Sequence, residues 1–267
     1  MTEEMIRAML PPVRTVGREV RCFPELDSTN TYVKEIACGG APEGVVVIAD
    51  CQTAGRGRMN RSFQSPRGKG LYLTALLRPE LPPERLLPVT ALAGVAVCDA
   101  VEETCGVRPG LKWPNDPVLS GRKLCGILTE LGTDPAGGLF LAVGIGINVG
   151  QTAEDFGPEL AEVAGSLAMA GYSVSRPALA AALIAALDRL YGDLCRGDLS
   201  DCLTAYRRDC VNLGKTVQLL RPDGTRRQAE AIGIDDAFGL TVRYPEGGTE
   251  TVRTGEVSVR GLYGYVE

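Results

Sequence analysis

The chain has 267 residues, 45% of them hydrophobic, enough to bury a sizeable core as one large domain with a small one beside it. A formal net charge of -5 argues against general nucleic-acid affinity, and the absence of histidine removes Ser-His-Asp and Cys-His nucleophilic schemes and most zinc sites. Nine cysteines, odd in number and without C-x-x-C spacing, read as buried reduced thiols and a cytoplasmic location; no apolar run reaches the roughly 18 residues of a membrane span.

Glu3 and Glu4, with no basic flank, do not read as a signal peptide. Ser28 or Thr29 caps a helix that runs through Tyr32, Val33 and Ile36 to Gly39-Gly40. On the local pattern alone, Asp27-Ser28-Thr29-Asn30 is no more than that cap. Val45-Val46-Val47-Ile48-Ala49 and Leu71-Tyr72-Leu73-Thr74-Ala75-Leu76-Leu77 predict two core strands. The loop between them holds no acid from Cys51 to Pro79, while Arg56, Arg58, Arg61, Arg67, Lys69 and Arg78 are all cationic. Glycines at 55, 57, 68 and 70 permit positive φ and close backbone approach, and arginine forks match phosphate or carboxylate oxygens. An anion cradle and a solvated basic loop or nucleic-acid contact both fit that composition. A dinucleotide fingerprint does not, because Asn60 stands at its third glycine; a Walker loop fails because Gly70 follows Lys69.

Further on, Pro88 to Glu103 reads as a scaffold helix with Leu92, Val95, Ala96 and Val101 facing the core. Lys112-Trp113-Pro114-Asn115-Asp116 is a turn, Trp113 packing it in place, and Ser120-Gly121-Arg122 is a second turn before a strand from Lys123 to Glu130. By itself Lys123 is a solvated strand-edge lysine; Asp116, one hairpin away, is placed to hold its ammonium. A strand over Gly138 to Val149 puts Gly144, Gly146 and Asn148 on one face. The two glycines leave either a slot for a flat ligand or room for close packing under a helix. Helices are expected over Glu159 to Ala170, Arg176 to Leu194 and Leu199 to Cys210. From Lys215, short alternating runs at 216–220, 227–232, 240–244 and 250–252 give a small β-barrel pattern, with Asn212-Leu213-Gly214 as the hinge.

Four stretches in this order, Asp27-Ser28-Thr29-Asn30, Gly55-Arg56-Gly57-Arg58, Lys112 to Asp116 with Gly121 to Leu128, and Gly144 to Val149, resemble the biotin protein ligases. The resemblance runs from about Asp27 to the Gly255 to Arg260 stretch, nearly the whole chain. It implies an α+β fold. Residues 1–212 would form a mixed central β-sheet flanked by helices, the class II synthetase-like catalytic fold of biotin and lipoate ligases, and residues 213–267 a small SH3-like β-barrel. The implied activity is adenylation of biotin by ATP to biotinyl-5'-AMP with release of pyrophosphate, then transfer of biotin to a lysine of a biotin carboxyl carrier protein domain. Mg2+ would be held with the ATP phosphates and not by protein side chains alone.

By the same resemblance Ser28, Thr29, Asn30, Gln52, Gly55, Arg56, Gly57, Gly144 and Gly146 meet biotin. Arg61, Phe63, Asn148 and Arg260 meet ATP or the adenylate. Arg58 and Lys123 meet both, and with Asp116 they form the catalytic set, under a loop that closes as a lid. Asn60 and Phe63 stand where the family usually has Gly and Trp. Only about two dozen residues precede Asp27, fewer than three helices of typical length require, so a short form without the helix-turn-helix repressor domain or sequence-specific DNA binding is expected. No membrane partner is expected, and a homodimer through sheet edges is. A lipoate or octanoate ligase of the same fold, and a noncatalytic biotin or nucleotide binder, are the alternatives.

Overall fold

A computed structural model of the chain describes residues 1–58, 61–158, 160–221 and 223–253, and the backbone of 258–261. In chain order its elements are α1 (Glu3–Arg7), β1 (Glu19–Phe23), α2 (Thr29–Cys38), β2 (Val45–Ala49), β3 (Gly70–Leu77), α3 (Val89–Cys105), β4 (Gly110–Lys112), β5 (Asp116–Leu119), β6 (Arg122–Lys123), β7 (Cys125–Thr133) and β8 (Leu139–Asn148). Then come α4 (Ala153–Phe156), α5 (Arg176–Arg196), α6 (Ser200–Asp209), β9 (Thr216–Leu220), β10 (Arg226–Ile234), β11 (Leu240–Arg243), β12 (Thr249–Val252) and β13 (Ser258–Gly261).

The central sheet has the order β1-β2-β3-β8-β7. Its β1–β2 pair is parallel and every other pair antiparallel, so it is mixed. Alternation along β2 explains how both faces are covered. Val46 and Ile48 join the large core with α3 and α5, while Val45 and Val47 face α2 together with Val33, Ala37, Leu76, Phe140 and Ala142. Only part of that second face lies under α2. Beyond it, on the same strand faces, come Tyr72, Thr74, Gly144, Gly146 and Asn148, and there the loop between β2 and β3 takes over as cover.

Two smaller sheets complete the molecule. β4-β5-β6 carries Lys112, Asp116 and Lys123. β12-β11-β10-β9-β13 is antiparallel throughout, with a register shift between Ala231 and Gly233, and among the described residues no ladder closes β12 onto β13. This second five-stranded sheet is pinned to the first half of the chain through Trp113, whose Nε1 donates to the Phe238 carbonyl at 2.9 Å. Tyr206 meets Phe238 edge-on, ring centroids 5.5 Å apart. Asn212, expected at a hinge, is buried and accepts the Trp113 backbone N–H through Oδ1 at 2.7 Å. A buried amide must be paired, so this junction is an anchor.

Other differences from the sequence reading have local causes. No helix forms over 160–170. Local turn bonds such as Ala164 N–H to Leu160 O form, but Gly165 N–H goes to Lys123 O, Leu167 N–H to Asn148 O and Ala168 N–H to Val149 O, and those three groups are lost to any helix ladder. The strand expected from Lys123 to Glu130 is divided, because Leu124 N–H turns aside to Pro117 O and leaves Lys123 in β6. α1 and β1 were not legible from pattern. Among the described residues no helix is long and apolar enough to cross a membrane. All nine cysteines are free thiols. Burial pushes Cys22 and Cys210 up to about 11 and holds Cys125 well above the ordinary thiol range.

Candidate active site

The start of α2 forms one end of the site. Ser28 caps the helix by accepting the Thr31 N–H at 3.5 Å, and Ser28, Thr29 and Asn30 are all buried. Gln52, at the start of the basic loop, accepts both the N–H and the hydroxyl of Thr29 at 2.9 and 3.0 Å. Its Nε2 donates to Ser65 Oγ at 2.8 Å, and Ser65 in turn reaches the Phe63 carbonyl at 3.2 Å. Thr74, a polar residue in an otherwise apolar strand, lies 2.8 Å from the Thr29 hydroxyl and 2.7 Å from Asn30 Oδ1. Asn30 Nδ2 donates to Leu128 O at 3.2 Å and to Glu130 at 3.0 Å. The cap segment is thus tied to the loop through Gln52 and to the sheet through Thr74, Leu128 and Glu130.

The glycines of the central strands do two different things. A Cβ at Gly144 would lie 1.9 Å from Asn30 Oδ1, so this glycine makes room for the carboxamide. Gly126 and Gly146 are cross-strand partners, and the Phe63 ring lies over both, 2.9 and 2.5 Å from where their Cβ atoms would be. Phe63 also meets Tyr72 edge-on at 6.4 Å. Gly126 and Gly146 thus give a flat glycine floor, and the loop's own phenyl ring packs directly on it, filling the slot between strand and loop.

Of the four loop glycines, only Gly68 has positive φ, at 76°. The others serve close approach: a Cβ at Gly55 would lie 2.3 Å from Phe63 O, and one at Gly70 would lie 2.4 Å from the Tyr72 ring. The cations divide as well. Arg67 pairs with Glu25, Lys69 with Asp155 and Arg78 with Asp134, so these three cations are held at the base of the loop and the strand beyond it. Asp155 is held down to about 2 by the Lys69 ammonium and by the Thr152 N–H. The remaining three belong to the loop tip. Arg56 pairs with Glu130 at 3.1 Å, Arg58 donates to Asn115 Oδ1 at 2.8 Å, and Arg61 is exposed. Asn115 is itself fixed by donating to Ile127 O at 2.8 Å, next to Gly126.

Lys123 Nζ lies 2.5 Å from Asp116 Oδ1, with both side chains mostly shielded. Its Cε is 3.7 Å from the Cβ position of Gly126, which puts the ammonium stem at the rim of the slot. The hairpin of β5 and β6 therefore delivers a held cation beside the glycine floor, not a solvated strand-edge lysine. Asn148 is buried and engaged at both ends of its amide, donating to Gly165 O at 3.0 Å and accepting from Gln151 at 3.1 Å. The Arg260 side chain, Asn60 and the Gly255 to Val257 stretch lie outside the described residues.

The slot thus runs from neutral hydrogen-bonding groups at Thr29, Asn30 and Gln52, past two glycines, to the cations Lys123 and Arg58. That arrangement suits a flat polar head, a thin body and an anionic end. The chain is 31% identical to the biotin--[acetyl-CoA-carboxylase] ligase of Mycobacterium tuberculosis over 96% of this chain and 95% of that protein. The chain belongs to the biotin protein ligase family. The profile described as the Biotin/lipoate A/B protein ligase family matches residues 22–149, which hold Thr29, Gln52, the loop, Lys123 and Asn148. Similarity to the bifunctional ligase/repressor BirA of Bacillus subtilis is 34% identity over 92% of this chain and 76% of that protein. The biotin protein ligase of Aquifex aeolicus in complex with biotin and ATP superposes with a TM-score of 0.80 at 28% identity, covering 91% of this chain and 99% of that one. The mixed central sheet flanked by helices is the family's fold. Glu130, Thr74 and Ser65 bond to the residues of this region without having been singled out by the sequence reading, and Asn115, named there only within the Lys112 to Asp116 motif, holds Arg58; of the first three, Thr74, polar within an apolar run, had a signal.

Proposed function

We propose that the protein activates biotin with ATP, forming biotinyl-5'-AMP and pyrophosphate, and then transfers biotin to a lysine of a carrier domain of a biotin-dependent carboxylase. The observation that carries this reading is the glycine slot, closed at one end by Thr29, Asn30 and Gln52 and at the other by Lys123 and Arg58. Biotin's ureido ring suits the first end, which offers hydroxyl, amide and backbone groups. Its carboxylate suits the second.

In the first half-reaction a carboxylate oxygen forms a bond to the α-phosphorus while the bond from that phosphorus to the bridging oxygen breaks, and pyrophosphate leaves. In the second, the lysine amine attacks the acyl carbon and AMP leaves as the acyl–oxygen bond breaks. Two anions must meet in the first step. Lys123, Arg58 and Arg61 are assigned to hold them, each fixed donor of this kind being worth about 3–4 kcal/mol at the transition state. Asp116 keeps the Lys123 ammonium pointed at the slot rim. Ser28, Gly55, Arg56, Gly57, Gly144 and Gly146 shape the biotin end, and Phe63 and Asn148, with Arg260, are assigned to the adenylate. The loop, already roofing the slot through Phe63, excludes water from the anhydride. Mg2+ is proposed to arrive with the triphosphate, whose oxygens would hold it while it neutralised their charge; Asp116, paired with Lys123, is the carboxylate of the site that could assist.

The same reading takes residues 1–212 as the catalytic domain and 213–267 as an SH3-like barrel domain, on the strength of the antiparallel order and the bulge at Ala231 and Gly233. It takes the protein as a cytoplasmic homodimer joined along β7, a sheet edge where Leu131 is 51% exposed. The test is ATP–pyrophosphate exchange with biotin, lipoate and octanoate offered separately, followed by a biotin-carrier domain. Exchange driven by biotin and acyl transfer to the carrier are expected. Exchange driven by lipoate or octanoate instead, or binding of biotin without exchange, would refute the proposal.

A further inference from the structure

Glu130 ends the ligand-facing row of β7, two residues beyond Leu128 and four beyond Gly126. Its carboxylate is the meeting point of three elements. Oε2 accepts Asn30 Nδ2 at 3.0 Å; Oε1 accepts Lys34 Nζ at 2.8 Å and Arg56 at 3.1 Å. Asn30 and Lys34 belong to α2, and Arg56 belongs to the loop. The carboxylate is mostly shielded, its side chain 20% exposed. Burial works against its charge, but Lys34, Asn30 and Arg56 outweigh that and hold Glu130 below the ordinary carboxylate range.

The contacts of Asn30 settle which way its carboxamide faces. Nδ2 looks at two acceptors, Leu128 O and Glu130, while Oδ1 looks at the Thr74 hydroxyl. Turning the amide over would set its oxygen against a carbonyl and a carboxylate, so Glu130 helps decide which end of Asn30 is committed to the protein. The same carboxylate holds Arg56, three residues after the Thr53 N–H that bonds to Leu26 O at the loop's root.

We propose that Glu130 is a positioning residue: by orienting Asn30 and clamping Arg56, it couples the biotin end of the slot to closure of the loop. This rests on the functional reading above. Glu130 touches neither biotin nor ATP and acts through Asn30 and Arg56, the residues assigned to biotin.

The experiment compares wild type, Glu130→Ala and Glu130→Gln in biotin-dependent ATP–pyrophosphate exchange, in biotin binding by calorimetry, and in the release rate of preformed adenylate at low and high salt. Glu130→Ala should raise the KM for biotin about tenfold while the KM for ATP stays within about twofold, a loss the size of one or two hydrogen bonds to an oriented group. Glu130→Gln keeps an acceptor for Asn30 but no charge for Arg56. It should recover most of the biotin KM yet release adenylate faster than wild type, and with less dependence on salt. Unchanged biotin KM and adenylate release in a folded Glu130→Ala protein would overturn the inference alone. So would equal losses for biotin and ATP with a lowered melting midpoint, the mark of a purely structural role. A wild type that neither binds biotin nor supports exchange would overturn the functional reading, and this inference with it.

Discussion

Gly144→Ala and Gly146→Ala are the same change on the same face of one strand, and the structure expects different costs from them. An added Cβ at residue 144 would lie 1.9 Å from Asn30 Oδ1, 2.8 Å from its Cγ and 3.0 Å from its Nδ2. Ordinary carbon contacts begin near 3.4 Å, so the overlap is about 1.5 Å. Asn30 cannot yield by that much in place. It is buried and bonded to Leu128 O, Glu130 and Thr74, and Leu128 and Thr74 are the cross-strand neighbours of residue 144 itself. The carboxamide must therefore leave. Two or three hydrogen bonds at about 0.5–1.5 kcal/mol each, with a stranded Thr74 hydroxyl among them, put the loss at about 2–5 kcal/mol. At residue 146 the obstacle is the half-buried Phe63 ring, 2.5 Å away on the loop, which can lift; about 1 kcal/mol is expected there. Urea denaturation followed by circular dichroism measures both, and calorimetry with biotin should show Gly144→Ala losing the ligand. Equal losses in the two variants, or less than about 1 kcal/mol in Gly144→Ala, would refute the reasoning.

Replacing Lys123 with Gln removes the cation at the slot rim while keeping a donor. Biotin-dependent exchange should fall about 100- to 1,000-fold in kcat, with the denaturation midpoint close to wild type. Trp113→Phe deletes the Nε1 donor and leaves the Phe238 carbonyl unpaired in a buried junction. A loss of about 1–3 kcal/mol is expected, read by circular dichroism because Trp113 is the single tryptophan. For pH, Asp155 is depressed to about 2 in the folded protein by Lys69, against about 3.9 unfolded. Its contribution is therefore complete above about pH 4 and lost as pH falls toward 2. Lys69→Met should show a smaller fall in stability over that interval than wild type; an equal fall would count against the pair.

The local signals in the chain carried far. The β-branched run at Val45 to Ala49, the cap at Ser28, the glycine alternation at Gly144 and Gly146, and the nearness of Asp116 to Lys123 each depend on neighbours within a few residues or one hairpin. Such periodicities and short loops are written in sequence order. Family motifs carried the assignment of chemistry further than composition alone allowed, since the basic loop by itself fits a solvated face as well as an anion cradle.

Where the reading failed, the deciding partner was distant. The segment 160–170 has helical composition, but the N–H groups of Gly165, Leu167 and Ala168 find Lys123, Asn148 and Val149, carbonyls at strand ends that only the assembled sheet supplies. Six cations between Cys51 and Pro79 look alike along the chain. Lys69 is separated from Asp155 by 86 positions and Arg78 from Asp134 by 56, so which of them are consumed in ion pairs and which remain for a ligand is settled only on folding. Glu130 shows the same division: a carboxylate at the end of a strand by sequence, it becomes a junction of helix, loop and sheet because tertiary packing brings Asn30, Lys34 and Arg56 to it. Sequence determined the elements and the chemistry available to this protein, through contacts short enough to have a period. Tertiary structure decided which groups are spent holding the fold and which are left facing the slot, because charge pairing and amide orientation depend on distances that chain order does not record.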